Sequence, residues 1–280
     1  MIGCCYLRFY RFWAACVLVF ALVPDPIVHG EEAPPDVTTT PPYDDFYVIP
    51  LRVHVLTSKE LSDVDCRLSD SDVSRVLSKV NAIWHRAGIH WGLESLRREP
   101  AAREPRFKLA RDLDGPGNLG LFRLLMPEES RHFAGLHVYY IHKFAVNGVW
   151  LGEGIAFVQE TAALRPVEGG IDEPLPRVTA HELGHGLGLS HRQDRTNLLA
   201  SGTTGTLLNT EEVKTARSHA ARLDGSRTVA ALRAAAEEAE SKQDDGQALL
   251  SWRWLAEVPG QGSDEARKNV DRLEGRRRGK

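Results

Sequence analysis

The sequence contains few cysteines, and their positions exclude a disulfide framework. Cys4, Cys5 and Cys16 lie within the first 30 of the 280 residues, which leaves Cys66 as the only cysteine in the rest of the chain. Once such an N-terminal segment is removed, no intramolecular disulfide can form. Stability must then come from bound ions and from a hydrophobic core, for which a hydrophobic share of 42% is sufficient.

Long hydrophobic runs are also absent. The apolar segment at residues 12–23 is shorter than the roughly 20 residues that a membrane-spanning helix needs. Arg8 and Arg11 precede this segment, and residues 28–30 follow it with a pattern tolerated at a cleavage site. The pattern predicts a secretory signal peptide over residues 1–30. We therefore expect a secreted or extracytoplasmic protein without stable membrane insertion.

The chain lacks an excess of charge of either sign. Its formal net charge of −3 gives no indication of nucleic-acid binding, so we expect no nucleic-acid partner.

Residues 31–45 are rich in proline and threonine and predict an exposed linker. Residues 261–280 end in a basic cluster, and we expect them to form a disordered tail.

One motif carries the chemistry of the chain. Residues 181–191 read HELGHGLGLSH, which places His181 and His185 at i and i+4, on one face of a helix. Gly188 can end the helix at positive φ, so that His191 returns to the same ion. Three histidines leave a fourth zinc position open for water, as in catalytic sites. Glu182 points away from the ligands and suits proton transfer from that water.

The motif and its surroundings resemble the metzincin superfamily of zinc metallopeptidases. Residues 177–180 lead into the motif as they do in reprolysin-like and pappalysin-like members, and residues 194–199 stand where those families carry a turn with methionine beneath the metal. The chain departs from them here, because its only methionines are Met1 and Met126. We expect Leu199, or else Leu198, to form the apolar floor instead, since leucine and methionine have similar volumes.

The resemblance also implies where a substrate binds. Residues 152–158 resemble the edge strand along which metzincins lay an extended peptide, so Gly154, Ile155 and Ala156 are candidate substrate-binding residues. An ordinary strand flanked by glycines explains the same pattern equally well. Residues 201–206 resemble the loop that walls the pocket after the scissile bond, but a simple turn of glycine and threonine is an equal alternative.

The order of the remaining elements agrees with a zincin-like fold. Alternation and apolar spacing predict the following elements: strands at 46–57, 89–96 and 136–141, a helix at 69–87, an insertion at 98–135 with one short helix near 119–125, and C-terminal helices at 210–223, 228–239 and 247–258. We expect an α+β fold with a mixed, mostly parallel twisted sheet, an active-site helix carrying the motif and a helical C-terminal region. The catalytic domain would span residues 46–224 and a helical extension residues 225–260.

The leading hypothesis is a secreted zinc-dependent endopeptidase. His181, His185 and His191 would hold Zn²⁺, Glu182 would act as general base, and the partner would be a peptide or protein substrate. A zinc-stabilised binding module without catalysis is the rival from another class, and Glu182 argues against it. A zinc hydrolase of a non-protein amide shares every catalytic residue, so the sequence does not separate it from a peptidase.

Overall fold

A mostly parallel sheet forms the centre of the protein. The structure is a computed structural model that describes residues 40–115, 117–132 and 135–278, so the predicted signal peptide and most of the predicted linker lie outside the described residues. The strands of this part of the chain are β1 Tyr47–Thr57, β2 Ile89–Pro100, β3 Leu136–Ile141, β4 Gly148–Trp150, β5 Ile155–Gln159 and β6 Arg227–Thr228. Their order is β2-β1-β3-β5-β4, with β6 paired to β1. Only β4 and β6 pair antiparallel in this sheet, which confirms the predicted fold class.

Two helices cover one face of the sheet and position the motif. Helix α1 spans Asp70–Trp84, and its N-terminus is closed by Ser69 and Asp72 in a capping box. The chain turns at Gly88 (φ 66°), directly after the predicted helix at residues 69–87. Helix α3, Pro174–Gly186, carries the first two histidines of the motif. The indole Nε1 of Trp84 donates to the carbonyl of Ala180 at 3.3 Å, which ties α1 to α3 inside the main core.

The insertion before β3 covers the opposite face. Its 3₁₀ helix at Leu119–Leu124 lies where a short helix was predicted, but the structure adds helix α2, Glu104–Asp114. Helix α2 buries only Phe107, so its sequence has almost no apolar period from which it could be predicted. Phe107 joins an aromatic cluster with Phe122, Tyr139 and Phe157 on this side of the sheet.

The C-terminal helices pack against the start of the sheet. They are α4 Thr210–Ala220, α5 Val229–Ser241, α6 Asp245–Glu257 and α7 Gly262–Arg278. Residues of α5, α6 and α7 share a core with Phe46 and Val48. Trp254 packs on Gly92 and donates its indole N–H to the carbonyl of Leu93 at 3.0 Å. The domain boundary after residue 224 stays a prediction.

The predicted disorder of residues 261–280 is wrong for the described part of this segment. Residues Gly262–Arg278 form helix α7, which buries Ala266 and Leu273 in the core shared with α6. Ala266, Val270 and Leu273 follow a helical spacing, but they are only three apolar residues among many charged ones, so packing against the neighbouring helix is needed to stabilise the segment. Within the described residues, no helix has both the length and the apolar character that a bilayer crossing requires.

Candidate metal centre

The end of α3 gathers the three histidines of the motif. The helix keeps His181 and His185 one turn apart and ends at Gly186. Gly188 then adopts a φ of 78°, a conformation that is strained for residues with a side chain. The chain reverses there, and His191 reaches the same point as the two helical histidines. One ring nitrogen from each histidine lies within 4.8 Å of the others.

The hydrogen bonds of the rings fix which nitrogens face one another. Nδ1 of His181 donates to the carbonyl of Leu198 at 2.8 Å, and Nδ1 of His185 donates to the carbonyl of Leu189 at 2.8 Å. The proton of each neutral ring is therefore on Nδ1, and both Nε2 atoms present lone pairs. Nε2 of His185 lies 3.2 Å from Nε2 of His181 and 3.2 Å from Nε2 of His191.

This donor set fits a tetrahedral metal ion. Lone pairs of His181 and His185 that face each other at 3.2 Å repel unless a cation lies between them. Two nitrogens bound at about 2.0–2.1 Å in a tetrahedral site lie about 3.3–3.4 Å apart, which matches the observed spacing. Burial lowers the pKa of His181 to about 3, so this imidazole is neutral and ready to bind metal at pH 7.

Glu182 lies beside the histidine cluster in a buried position. Burial raises the pKa of its carboxyl group to about 8, although the Arg177 guanidinium and the backbone N–H of Trp150 both act to lower it. A divalent cation held by the neighbouring histidines would also lower this pKa. The carboxyl group is thus placed to exchange a proton near neutral pH.

The edge strand is not the one that the sequence suggested. Strand β5 contains Ile155 and Ala156 and pairs with β3 on one side and β4 on the other, so it lies inside the sheet and has no open edge for a peptide. Gly154 precedes it, and a side chain there would collide with the carbonyl of Gly135. The assignment of Gly154, Ile155 and Ala156 as edge-strand residues is therefore wrong. The edge is β4, whose three residues are too few to give a recognisable alternation.

Strand β4 and helix α3 form the two sides of the site. A cavity of about 810 Å³ lies between them and is lined by the three histidines, Glu182, all three residues of β4, and Ser201 and Gly202 of the following loop. The ring of Trp150 covers Gly186, where an added Cβ would lie 2.9 Å from it. The cavity brings the candidate metal ligands, a buried carboxyl group and an extended backbone edge together.

Leu199 forms part of the floor beneath the ligands. It is fully buried, and its Cδ1 lies 3.4 Å from the position that a Cβ on Gly184 would occupy. Gly184 precedes His185, so the leucine packs directly on the helix between the two ligands. Leu198 is buried as well, and its carbonyl accepts the Nδ1 proton of His181.

A polar pair that the sequence did not indicate fixes this turn. Oδ1 of Asn197 accepts from the backbone N–H of Leu199 at 2.7 Å, and its Nδ2 donates to Glu212 at 2.8 Å. Both side chains are buried, and the carboxylate of Glu212 also accepts from Nε of Arg192 at 2.6 Å. Asn197 and Glu212 are 15 residues apart, so no local pattern joins them.

Leu199 provides a test of this floor. Leu199→Met is expected to change the free energy of unfolding by less than about 1.5 kcal/mol, because the two side chains have similar volumes. Leu199→Asp should lower the unfolding temperature and reduce zinc retention, because it buries an unpaired carboxylate under the ligands. Calorimetry and metal analysis measure both effects. Leu207→Asp is the control, since Leu207 lies in the same loop but is 39% exposed; equal effects at both positions would contradict the floor role.

Comparisons with known proteins give only distant similarities. No protein-family model and no curated protein matches the chain. Among solved structures, metalloproteinase-II from Bacteroides fragilis aligns at 12% identity and a TM-score of 0.38, covering 64% of this chain and 55% of that one. A chaperone-substrate complex aligns at 14% identity and a TM-score of 0.36, covering 62% of this chain and 34% of the other.

A third similar structure is a zinc-dependent peptidase from Methanocorpusculum labreanum (strain Z). It aligns at 14% identity and a TM-score of 0.28, covering 58% of this chain and 92% of the other. The chain thus spans about half of the metalloproteinase-II structure and about a third of the chaperone-substrate structure. The resemblance to metzincins stays a prediction.

Proposed function

We propose that the protein is a secreted zinc-dependent endopeptidase. The observation that carries the proposal is the convergence of three histidine nitrogens beside the buried carboxyl group of Glu182, in a cavity bordered by a sheet edge. A closed structural site has no use for an adjacent base or for an open cavity. Export is proposed from the apolar segment at residues 12–23 and the arginines before it.

The three histidines would hold the zinc ion, and Glu182 would move the proton. Bound zinc would lower the pKa of a water molecule and polarise the substrate carbonyl. A carboxylate oxygen of Glu182 would accept the proton of that water and then deliver it to the departing amine. The backbone N–H of Trp150 interacts with this carboxylate and orients it. Proton transfer therefore depends on the position of β4 as well as on α3.

Strand β4 would hold the substrate in an extended form. Its residues pair with β5 on one side only, and the other side borders the cavity. Main-chain hydrogen bonds along such an edge would bind a peptide without demanding particular side chains. This feature favours a peptide over a non-protein amide, because only a peptide supplies a strand that can pair with the edge.

The proposed activity can be tested with a peptide library. The purified protein, loaded with zinc, should cleave internal bonds of peptides longer than about six residues, which is the usual length of a strand in a sheet and exceeds the three residues of β4. Cleavage should stop with a zinc chelator and return when zinc is restored. Mass spectrometry of the products locates the cut bonds. Absence of cleavage by a protein that holds one zinc per chain would contradict the proposal.

Gly148 gives a prediction specific to the edge strand. A Cβ at this position would lie 2.6 Å from Oε1 of Glu182 and 2.7 Å from Cγ1 of Val178. Gly148→Ala must therefore displace either β4 or the carboxylate, and a shift of about 1 Å can lower activity by roughly 10²-fold. We expect a large fall in kcat/KM with zinc content unchanged. Gly117→Ala serves as a control, because nothing lies within 4 Å of its added Cβ.

A further inference from the structure

Arg177 is a buried cation in the wall of the metal-centre cavity. It lies on α3 one turn before His181, and only 2% of its surface is exposed. Burial lowers the pKa of its guanidinium to about 10, which leaves it charged at neutral pH. Burying a charged group costs free energy unless the group forms hydrogen bonds and lies near an opposite charge. The hydrogen-bond and ion-pair partners of the Arg177 guanidinium therefore determine how well it is stabilised.

The hydrogen bonds of Arg177 use only part of its guanidinium group. Nε donates to the carbonyl of Gly205 at 3.1 Å, and Nη2 donates to the carbonyl of Ala200 and, at 3.4 Å, to that of Asn197. Nη1 lies 3.3 Å from Nδ1 of His181. That nitrogen already donates its own proton to Leu198, so it cannot accept from Nη1. Among the described residues, the two N–H groups of Nη1 are therefore left without an acceptor.

No carboxylate forms an ion pair with Arg177 among the described residues. Glu182 is close enough for its charge and that of Arg177 to affect each other, yet no oxygen of Glu182 comes within 4.0 Å of the guanidinium nitrogens. Arg192 and Arg75, by contrast, are both paired with acidic side chains. Arg177 thus combines full burial, a positive charge and two unused donors in one wall of the cavity.

The cavity that Arg177 helps to line also has uncharged residues in its walls. Leu164, Val178, Ser201 and Gly202 line the same cavity as Arg177, and none of them carries a charge. A carboxylate that enters this cavity would face the guanidinium in a lining that is more apolar than polar and whose acidic residue is Glu182. A charge-assisted hydrogen bond is strong in such surroundings, because water does not screen it.

We propose that Arg177 selects substrates that carry a carboxylate on a residue next to the scissile bond. The inference rests on the proposed peptidase function and assigns its substrate class, acidic peptides. Two chemical sources can supply the group. One is an aspartate or glutamate side chain, which corresponds to an endopeptidase with acidic specificity. The other is the C-terminal carboxylate of the substrate, which corresponds to removal of the last residue.

The specificity of the zinc-loaded wild-type protein tests the proposal without any mutation. A host peptide is varied at the two residues that flank the cut bond, with Asp, Glu, Asn, Gln, Leu or Arg at each. A second set ends one residue after the cut bond, as a free acid or as an amide. We expect kcat/KM to be about 10-fold or more higher for Asp or Glu than for Asn or Gln, or for the free acid than for the amide.

Two arginine variants separate direct recognition from general electrostatic attraction. Arg177→Gln should abolish the acid-over-amide ratio, and Arg177→Lys should retain part of it. Arg165→Gln removes the same charge from an exposed position near the cavity wall and should leave the ratio unchanged. A ratio that is lost in the Arg165 variant or in high salt would indicate long-range attraction and overturn the proposal. Because a ratio is measured, a general loss of activity in Arg177→Gln does not mimic the expected result.

The outcomes distinguish this proposal from the one on which it rests. Cleavage of neutral and acidic peptides at equal kcat/KM would overturn the specificity and leave the peptidase function standing. No cleavage of any peptide by protein with one zinc per chain would overturn both. A preference of the free acid over the amide, without a preference for acidic side chains, would support recognition of the C-terminal carboxylate.

Discussion

Replacing Glu182 with glutamine is expected to lower the turnover of a peptide by a factor of about 10² or more while leaving the zinc content unchanged. Glutamine keeps the size of the side chain and can still accept the backbone N–H of Trp150. It cannot accept a proton at neutral pH, so it cannot act as a base. The side chain is buried, and removing its charge also removes a cost of burial. The variant should therefore be at least as stable as the wild type.

The measurement compares kcat, bound zinc and the unfolding temperature of the same preparations. Glu211→Gln is the matched control, because Glu211 is an exposed residue of α4 and pairs with Lys214 at the surface. Its turnover should equal that of the wild type. Undiminished hydrolysis by zinc-loaded Glu182→Gln would assign the proton transfer to another group, and loss of zinc would instead show that Glu182 serves the metal site.

The metal centre could be predicted from the sequence because its determinants are local. The spacing of His181 and His185 depends only on the helical repeat, and the return of His191 depends only on a glycine at positive φ. Both features lie within 11 consecutive residues. The floor beneath the ligands was expected from the resemblance to metzincins, which carry a turn at the position of residues 194–199.

The substrate edge could not be predicted because it depends on pairing between distant residues. Strand β4 is three residues long and becomes a strand only because β5 pairs with it. The resemblance to metzincins placed the edge strand at residues 152–158, but residues 155–158 belong to the interior strand β5. Burial of all five residues of β5 is the physical signature of a strand that is covered on both faces.

The supporting residues were missed for a similar reason. Arg177 looked like an ordinary first-turn residue of α3, and only the folded loop at residues 197–205 supplies the carbonyl groups that it contacts. Asn197 and Glu212 meet across a chain reversal that no periodicity describes. In a sequence, a buried polar side chain appears only as an interruption of an apolar pattern. The interruption does not indicate which residues the side chain contacts.

Replacing His191 with alanine is expected to release most of the bound zinc. The variant removes one of three protein ligands and leaves the two helical histidines with their Nδ1 hydrogen bonds intact. Loss of a residue that only orients a ligand already costs about 10–100-fold in metal affinity, and loss of a ligand should cost more. His191 is exposed, so its truncation removes little packing. Zinc release would therefore reflect ligation and not unfolding.

The stability of the variant provides an independent measurement of the same effect. An ion present at about 1,000 times its Kd stabilises the folded state by about 4 kcal/mol, and a weakened site loses most of that amount. We expect His191→Ala to unfold at a lower temperature than the wild type in zinc, and the two proteins to unfold at similar temperatures in a chelator. Ser190→Ala, an exposed neighbour, should behave as the wild type in both conditions. One tightly held zinc per chain in His191→Ala would show that the third ligand is another residue. The assignment of the open cavity as the place where substrate reaches the zinc would then have to be revised.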